Sequence, residues 1–363
     1  MKIYLNKNRG GGGGGAASGM KAYLSDTIDT ITPDMYAGLT LSHKHFINHF
    51  PTDSPIKTIE VDNTWNQGYT TGDTSVYTTR DCWLNWDRKV LIKSGTTFTT
   101  LNLLKPMNSS ALSITQVEFE GDTIPSYMFY MWKETSGIST YKVPDNISTI
   151  SSFAFQGVDF GTDVRVELNN TKELKTVAFY GVSGMTSIDL GNSLESIARN
   201  MFIDASIAGD LVIPASVKTI DDSAFENTKI SSATLKCAFP YTATSKNAAY
   251  IFQSCTALTA VTISPEVKSD SSIGIGAFKN CTSLKTLTIE NCGKFNFYGG
   301  MIFKNCTALT DITINTDAMA TYFSSSTFQS LTLANINLHV PSALVDTYKA
   351  DAVWGQMNVV AIA

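Results

Sequence analysis

The chain has 363 residues, 43% hydrophobic and 16% charged, with a formal net charge of -5. High apolar content with low net charge excludes a disordered chain. No apolar run reaches the 18 or so residues of a membrane span, and a pI near 5.4 leaves no basic stripe for nucleic acid. Charged residues fall below the usual quarter of a globular sequence. Thr, about one residue in eight, supplies much of the polar surface instead.

Residues 1–19 come first. The start, Met1-Lys2-Ile3-Tyr4-Leu5-Asn6, lacks the apolar core of a secretory signal, so export by that route is not expected. A glycine run, Gly10 to Gly15, follows. It lacks the Gly-Lys-Ser/Thr of a phosphate loop. It reads as a flexible linker, compatible with an attachment peptide at Met1–Arg9 whose Lys2–Leu5 adds as a strand to a partner sheet.

Residues 20–113 are irregular. His43, His45 and His49 form an HxHxxxH cluster. Imidazoles at this spacing can converge on a metal, but no Asp, Glu or Cys completes an obvious ligand set, so a plain polar edge is the expectation. Ile56-Lys-Thr-Ile59-Glu-Val61 alternates like a half-buried strand. Trp65, Trp83 and Trp86 cluster nearby, either as a local hydrophobic cap or as an aromatic contact patch.

From residue 114 to 340 the sequence repeats. Phe129, Phe155, Phe179, Phe202, Phe225, Phe252, Phe278, Phe303 and Phe328 recur at spacings of 26, 24, 23, 23, 27, 26, 25 and 25. Most carry a small or apolar residue just before them. Several are followed by Cys-Thr-x-Leu and an alternating strand, as in Leu258 to Ile263, Leu284 to Ile289 and Leu309 to Ile314. Pro-containing words such as Ile213-Pro-Ala-Ser-Val217-Lys-Thr-Ile220 lead into the next Phe. A repeat of this length points to a solenoid whose coils bury one another's faces.

The unit Ile213 to Phe225 resembles the BspA-like leucine-rich repeat, a family of bacterial surface proteins that also occurs in some protists and phages. The resemblance covers at least residues 114 to 350. It implies a β-rich, right-handed leucine-rich-repeat solenoid of about nine or more repeats of 23–27 residues. It reaches back to Ile28–Tyr36, which superimposes on Val217–Phe225. Tyr77 to Ile92 is similar to the hairpin that family members insert between repeats, with Asn85 to Arg88 at its turn. Residues 341–363 are similar to a closing cap. There Ser342 is expected to N-cap a short helix carrying Leu344, Val345 and Tyr348, with Trp354 and Val359–Ile362 covering the last coil.

Position by position, Val261, Leu287 and Ile312 are expected to form an inward ladder. Phe225, Phe252, Phe278 and Phe303 are expected to stack as a second one. Cys255, Cys281 and Cys306 recur in near-identical words and should form a third, as buried thiols rather than disulfides. By alternation Glu60, Glu118, Asp189, Thr262, Thr288 and Thr313 should face outward, as a candidate binding face.

No GxSxG, HExxH, EF-hand loop or CxxC occurs. We therefore expect no catalytic residue, cofactor or metal. The resemblance implies a non-enzymatic recognition or adhesion protein binding a host surface glycan or protein. A phage tail or fibre-type virion protein, attached to other virion proteins through residues 1–19, is the leading expectation. A bacterial cell-surface or secreted adhesin and an intracellular interaction scaffold are the alternatives. Homo-oligomerisation stays open.

Overall fold

Each strand word alternates apolar and polar residues, so one face of the strand can be buried while the other meets solvent. A computed structural model describes residues 29–36, 57–63, 81–84, 89–98, 103–106, 113–134, 136–238, 249–322 and 324–362. The chain divides into two units, one of residues 1–97 and 101–121, the other of residues 98–100 and 122–363.

In the first unit, Thr30–Ile31, Thr58–Val61, Lys89–Ile92 and Val117–Phe119 form a four-stranded parallel sheet. Ile31, Ile59, Val61, Val90, Ile92, Val117 and Phe119 are its buried residues. The hairpin expected between Tyr77 and Ile92 is not formed by its two arms. Asp81–Leu84 pairs in parallel with Leu103–Pro106, whereas Lys89–Ile92 lies between Thr58–Val61 and Val117–Phe119. Val90 and Ile92 continue the buried columns of Ile59 and Val61, so this segment is a repeat strand.

The second unit is a β-solenoid. Thr140–Lys142, Asp159–Glu167 and Ser183–Asp189 form a three-stranded parallel sheet. The main path of a nine-stranded parallel sheet runs through Ala208–Ile213, Lys229–Leu235, Ala260–Ile263, Thr286–Phe297, Asp311–Thr316, Asn337–Val340 and Asn358–Ala361. The two-residue strands Thr123–Ile124, Thr149–Ile150, Glu173–Leu174, Ser196–Ile197 and Thr219–Ile220 make a further parallel sheet. Parallel pairing throughout is what successive turns of one coil require.

Two columns hold the core. Leu211, Ala233, Val261, Leu287, Ile312, Leu338 and Val359 pair in register and are buried. The nine repeat Phe residues, Phe129 to Phe328, form a continuous ring stack with centroids 4.7–6.0 Å apart. The residue two places before several of these Phe has left-handed backbone, including Phe153 (φ 64), Val177 (φ 55) and Tyr250 (φ 56). Such backbone costs about 1–2 kcal/mol for an ordinary residue. Inter-coil hydrogen bonds from the Phe amides, Phe129 to Phe303, offset it, for example Phe155 N–H to the Ala178 carbonyl at 2.8 Å and Phe252 N–H to Ala277 at 2.9 Å.

Trp354 closes the stack, packing edge-on against Phe328 at 5.3 Å. Its indole N–H donates to the Ala320 carbonyl at 3.2 Å, and the Ala320 amide donates to the Tyr348 hydroxyl at 2.7 Å. Ser342 does not cap the closing helix. It opens a 3-10 turn, Ser342–Leu344, after Pro341, and the helix Val345–Ala350 starts behind Leu344 without a side-chain cap. Pro341 fixes the entry direction, which leaves Ser342 inside the turn.

Candidate functional site

The outward strand face of the second unit is where side chains are free of the stacking constraint. Val212, Thr234, Thr262, Thr288, Thr313, His339 and Val360 lie in register on seven adjacent strands. At about 4.8 Å per strand, the step from Thr234 to Thr313 covers about 14 Å. All four Thr are partly exposed, between buried neighbours. Beside them runs a second outward column, Ser232, Ala260, Thr286, Asp311, Asn337 and Asn358.

The second column ends in a hydrogen-bonded polar ladder. Asn358 Nδ2 donates to Asn337 Oδ1 at 2.9 Å, and Asn337 Nδ2 donates to Asp311 Oδ1 at 3.0 Å. His339 Nε2 lies 3.3 Å from the same oxygen. Hydrogen bonds from Thr310, Asn337 and His339 hold the Asp311 carboxyl below its ordinary range.

Toward the start of the unit the same face is charged. Lys142, Glu167 and Asp189 are in register. Arg165 bridges them, with Nε 3.1 Å from Glu167 and Nη2 2.8 Å from Asp189. Where the charged rows meet the Thr rows, Asp189, Asn192, Val212, Pro214, Ser216, Lys236 and Glu266 line a shallow cleft of about 270 Å³. Val212 is 46% exposed.

The outward row expected from sequence is thus distributed over three sheets. Glu60 and Glu118 lie in the first unit, in register through Leu91. Lys93 lies 3.7 Å from Glu60, and Lys89 pairs with Glu118. Asp189 belongs to the three-stranded sheet, while Thr262, Thr288 and Thr313 share the nine-stranded one. Trp65 and Trp86, the turn Asn85–Arg88, and His43, His45 and His49 lie outside the described residues. Trp83 is described only as part of the strand Asp81–Leu84. Sequence reasoning missed the cleft. The signal for it was the run Leu211-Val212-Ile213, which puts an aliphatic residue where the next four strands of the column carry Thr.

The cysteines sit away from this face, in the core. Cys255, Cys281 and Cys306 Sγ donate to the carbonyls of Phe225, Phe252 and Phe278 at 3.0–3.1 Å, each reaching one coil back. Burial pushes the Cys255 thiol up to about 11 and that of Cys306 to about 12, and raises Cys281 as well. A thiol held this high is a poor nucleophile at neutral pH. Among the described residues no three His, Cys, Asp or Glu side chains gather as a metal site, and no helix is long and apolar enough to cross a membrane.

The sequence model of the BspA type leucine rich repeat region matches residues 122–246 and 236–349, in six copies. That span is well over half of the chain. The chain belongs to the BspA-type leucine-rich repeat family. Among solved structures it is similar to a leucine-rich repeat protein from Bacteroides ovatus, at 15% identity and a TM-score of 0.38, over 85% of this chain and 84% of that one. It is also similar to the pneumococcal vaccine antigen PcpA, at 14% identity and a TM-score of 0.28, over 72% of this chain and 89% of that one. No curated protein matches the chain. The matched BspA-type repeats span the charged rows, the cleft and the Thr rows alike.

Proposed function

We propose that the protein is a non-enzymatic recognition protein of the adhesion type, which sets the outward strand face of its solenoid against a surface glycan or protein. The observation that carries this reading is the in-register row Thr234, Thr262, Thr288 and Thr313, an uncharged hydroxyl array over an apolar inward column. Solenoids engage partners through extended faces of this kind. Threonine also favours strands in its own right. The adjoining ladder of Asp311, Asn337 and Asn358 adds oriented amide and carboxylate groups, which strand propensity does not call for. The test is saturable binding of the labelled full chain to intact candidate host cells, competed by unlabelled protein. Absence of saturable binding to any cell overturns the proposal.

In its finer form, the proposal is a phage tail or fibre-type protein at the virion surface, held through residues 1–19. The Gly10–Gly15 run supplies a pliant spacer, and the alternation of Lys2 to Leu5 suits strand addition to a partner sheet. Deleting residues 1–19 should abolish incorporation into particles while cell binding persists. Incorporation that survives the deletion removes this form. Recovery of the protein from the surface of uninfected bacteria replaces it with a bacterial adhesin.

A further inference from the structure

We infer that the cleft beside Val212 is a subsite for one neutral pyranose ring of a glycan. The inference deepens the recognition reading by naming a ligand class for one part of the same face.

Three features converge there. The first is an apolar surface that is exposed where the fold does not require it. Val212 stands in the outward column, where the next three strands carry Thr, yet it is 46% exposed. Val267, directly after the cleft residue Glu266, is 78% exposed. Single exposed aliphatic residues are common on surfaces; Val212 is set apart because it sits in a cleft with polar groups at its rim.

The second feature is a rim that offers both donors and acceptors but little unpaired charge. Asp189 is paired with Arg165 at 2.8 Å, and Lys236 with Glu266 at 3.4 Å. Both pairs neutralise their own charge, so an ionic ligand would have to displace an existing partner. A neutral ligand need not. The carboxylate oxygens keep spare lone pairs, and the Lys236 ammonium and Asn192 amide keep spare N–H groups. Vicinal hydroxyls, each both donor and acceptor, use such a mixture fully.

The third feature is an unpartnered polar atom. The Ser216 hydroxyl lines the cleft and its oxygen is buried with no hydrogen-bond partner. A buried hydroxyl left unmade is costly. The oxygen is covered in the free protein, so a ligand hydroxyl would satisfy it only with a turn of the Ser216 side chain into the cleft. Size agrees with a single ring. About 270 Å³ lies just below the range of roughly 300–1,000 Å³ that holds drug-sized ligands. The aliphatic C–H face of a pyranose would lie on Val212, with its hydroxyls turned to the rim.

The experiment is a methyl-detected NMR titration of the full chain, Val-labelled, with methyl glycosides of glucose, galactose and mannose. Saturable shifts of the Val212 methyl signals are expected with at least one of them, at millimolar affinity. In Val212→Asp and in Asp189→Ala the affinity should fall by about tenfold or more, with the melting temperature within a few degrees of wild type, because both side chains are exposed and the Asp189–Arg165 pair is a surface one. The methyl glycosides of glucuronic acid and glucosamine should bind more weakly than the neutral sugars. No saturable shift with any neutral glycoside overturns the inference. So does binding that both variants leave intact, or a preference for a charged sugar. Cell capture is measured separately. A Val212→Asp protein that loses neither property, or only cell capture, contradicts the subsite, while loss of glycoside binding alone leaves the wider recognition reading to stand on the Thr rows.

Discussion

The charged rows around Arg165 and the threonine rows from Thr234 to Thr313 lie on the same kind of strand and differ only on the side facing out. Inward, both regions place aliphatic residues: Val166 and Ile188 in one, Val261, Leu287 and Ile312 in the other. Outward, one region carries Lys142, Arg165, Glu167 and Asp189, and the other carries neutral hydroxyls. Stacking fixes the inward choice, because every coil must match the next. The fold constrains the outward choice less: Thr suits a strand, and Arg165 and Asp189 pair across strands. The cleft falls at the border between the two regions.

The comparison breaks most readily from inside. Truncating a stacked ring, as in Phe252→Ala, should cost about 3–5 kcal/mol. A denaturant titration should show that loss in full, and a change under about 1 kcal/mol would mean that the stack is not the core. Cys281→Ser comes next. It places a more polar group in the dry core beside the Phe252 carbonyl, and a loss of about 1–2 kcal/mol is expected. In the native protein Cys255, Cys281 and Cys306 should resist thiol reagents at pH 8, read by mass spectrometry of each site. Their raised thiol values leave almost no thiolate at that pH.

A smaller effect belongs to Asp311. Its carboxyl is held low in the folded state. It therefore contributes stability above the ordinary carboxylate value, and that contribution is lost as pH falls through the lowered folded value. Asp311→Asn should lower the melting temperature at neutral pH and leave it nearly unchanged at low pH, which flattens the acid side of the curve. A curve of unaltered slope would contradict the ladder. The smallest stability effect is expected on the Thr rows. Thr288→Ala should change unfolding free energy by no more than about 0.5 kcal/mol, as surface changes generally do.

Much of the fold is legible in the sequence. The Phe register announced the solenoid, because a ring stack demands one aromatic residue per coil. The thiol words announced a core column, though not that each Sγ reaches back to a Phe carbonyl. The segment Tyr77 to Ile92 misled for a physical reason. A hairpin arm and a parallel repeat strand share the same two-residue alternation, and only the partner distinguishes them. Ser342 misled because Pro341 sets the chain direction before the helix begins. The cleft escaped because its walls come from four successive coils, from Asp189 to Glu266, and no local word holds them together.

The central claim is that the outward strand face does the binding. The most direct measurement compares cell capture by the wild-type chain with that by a Thr262→Lys, Thr288→Lys, Thr313→Lys variant and by a Lys172→Glu, Lys218→Glu control, whose charges flank the separate sheet of two-residue strands. The triple variant should melt within a few degrees of wild type and lose at least about tenfold in affinity, while the control binds normally. Undiminished capture by the triple variant, or a loss confined to the control, would contradict that claim.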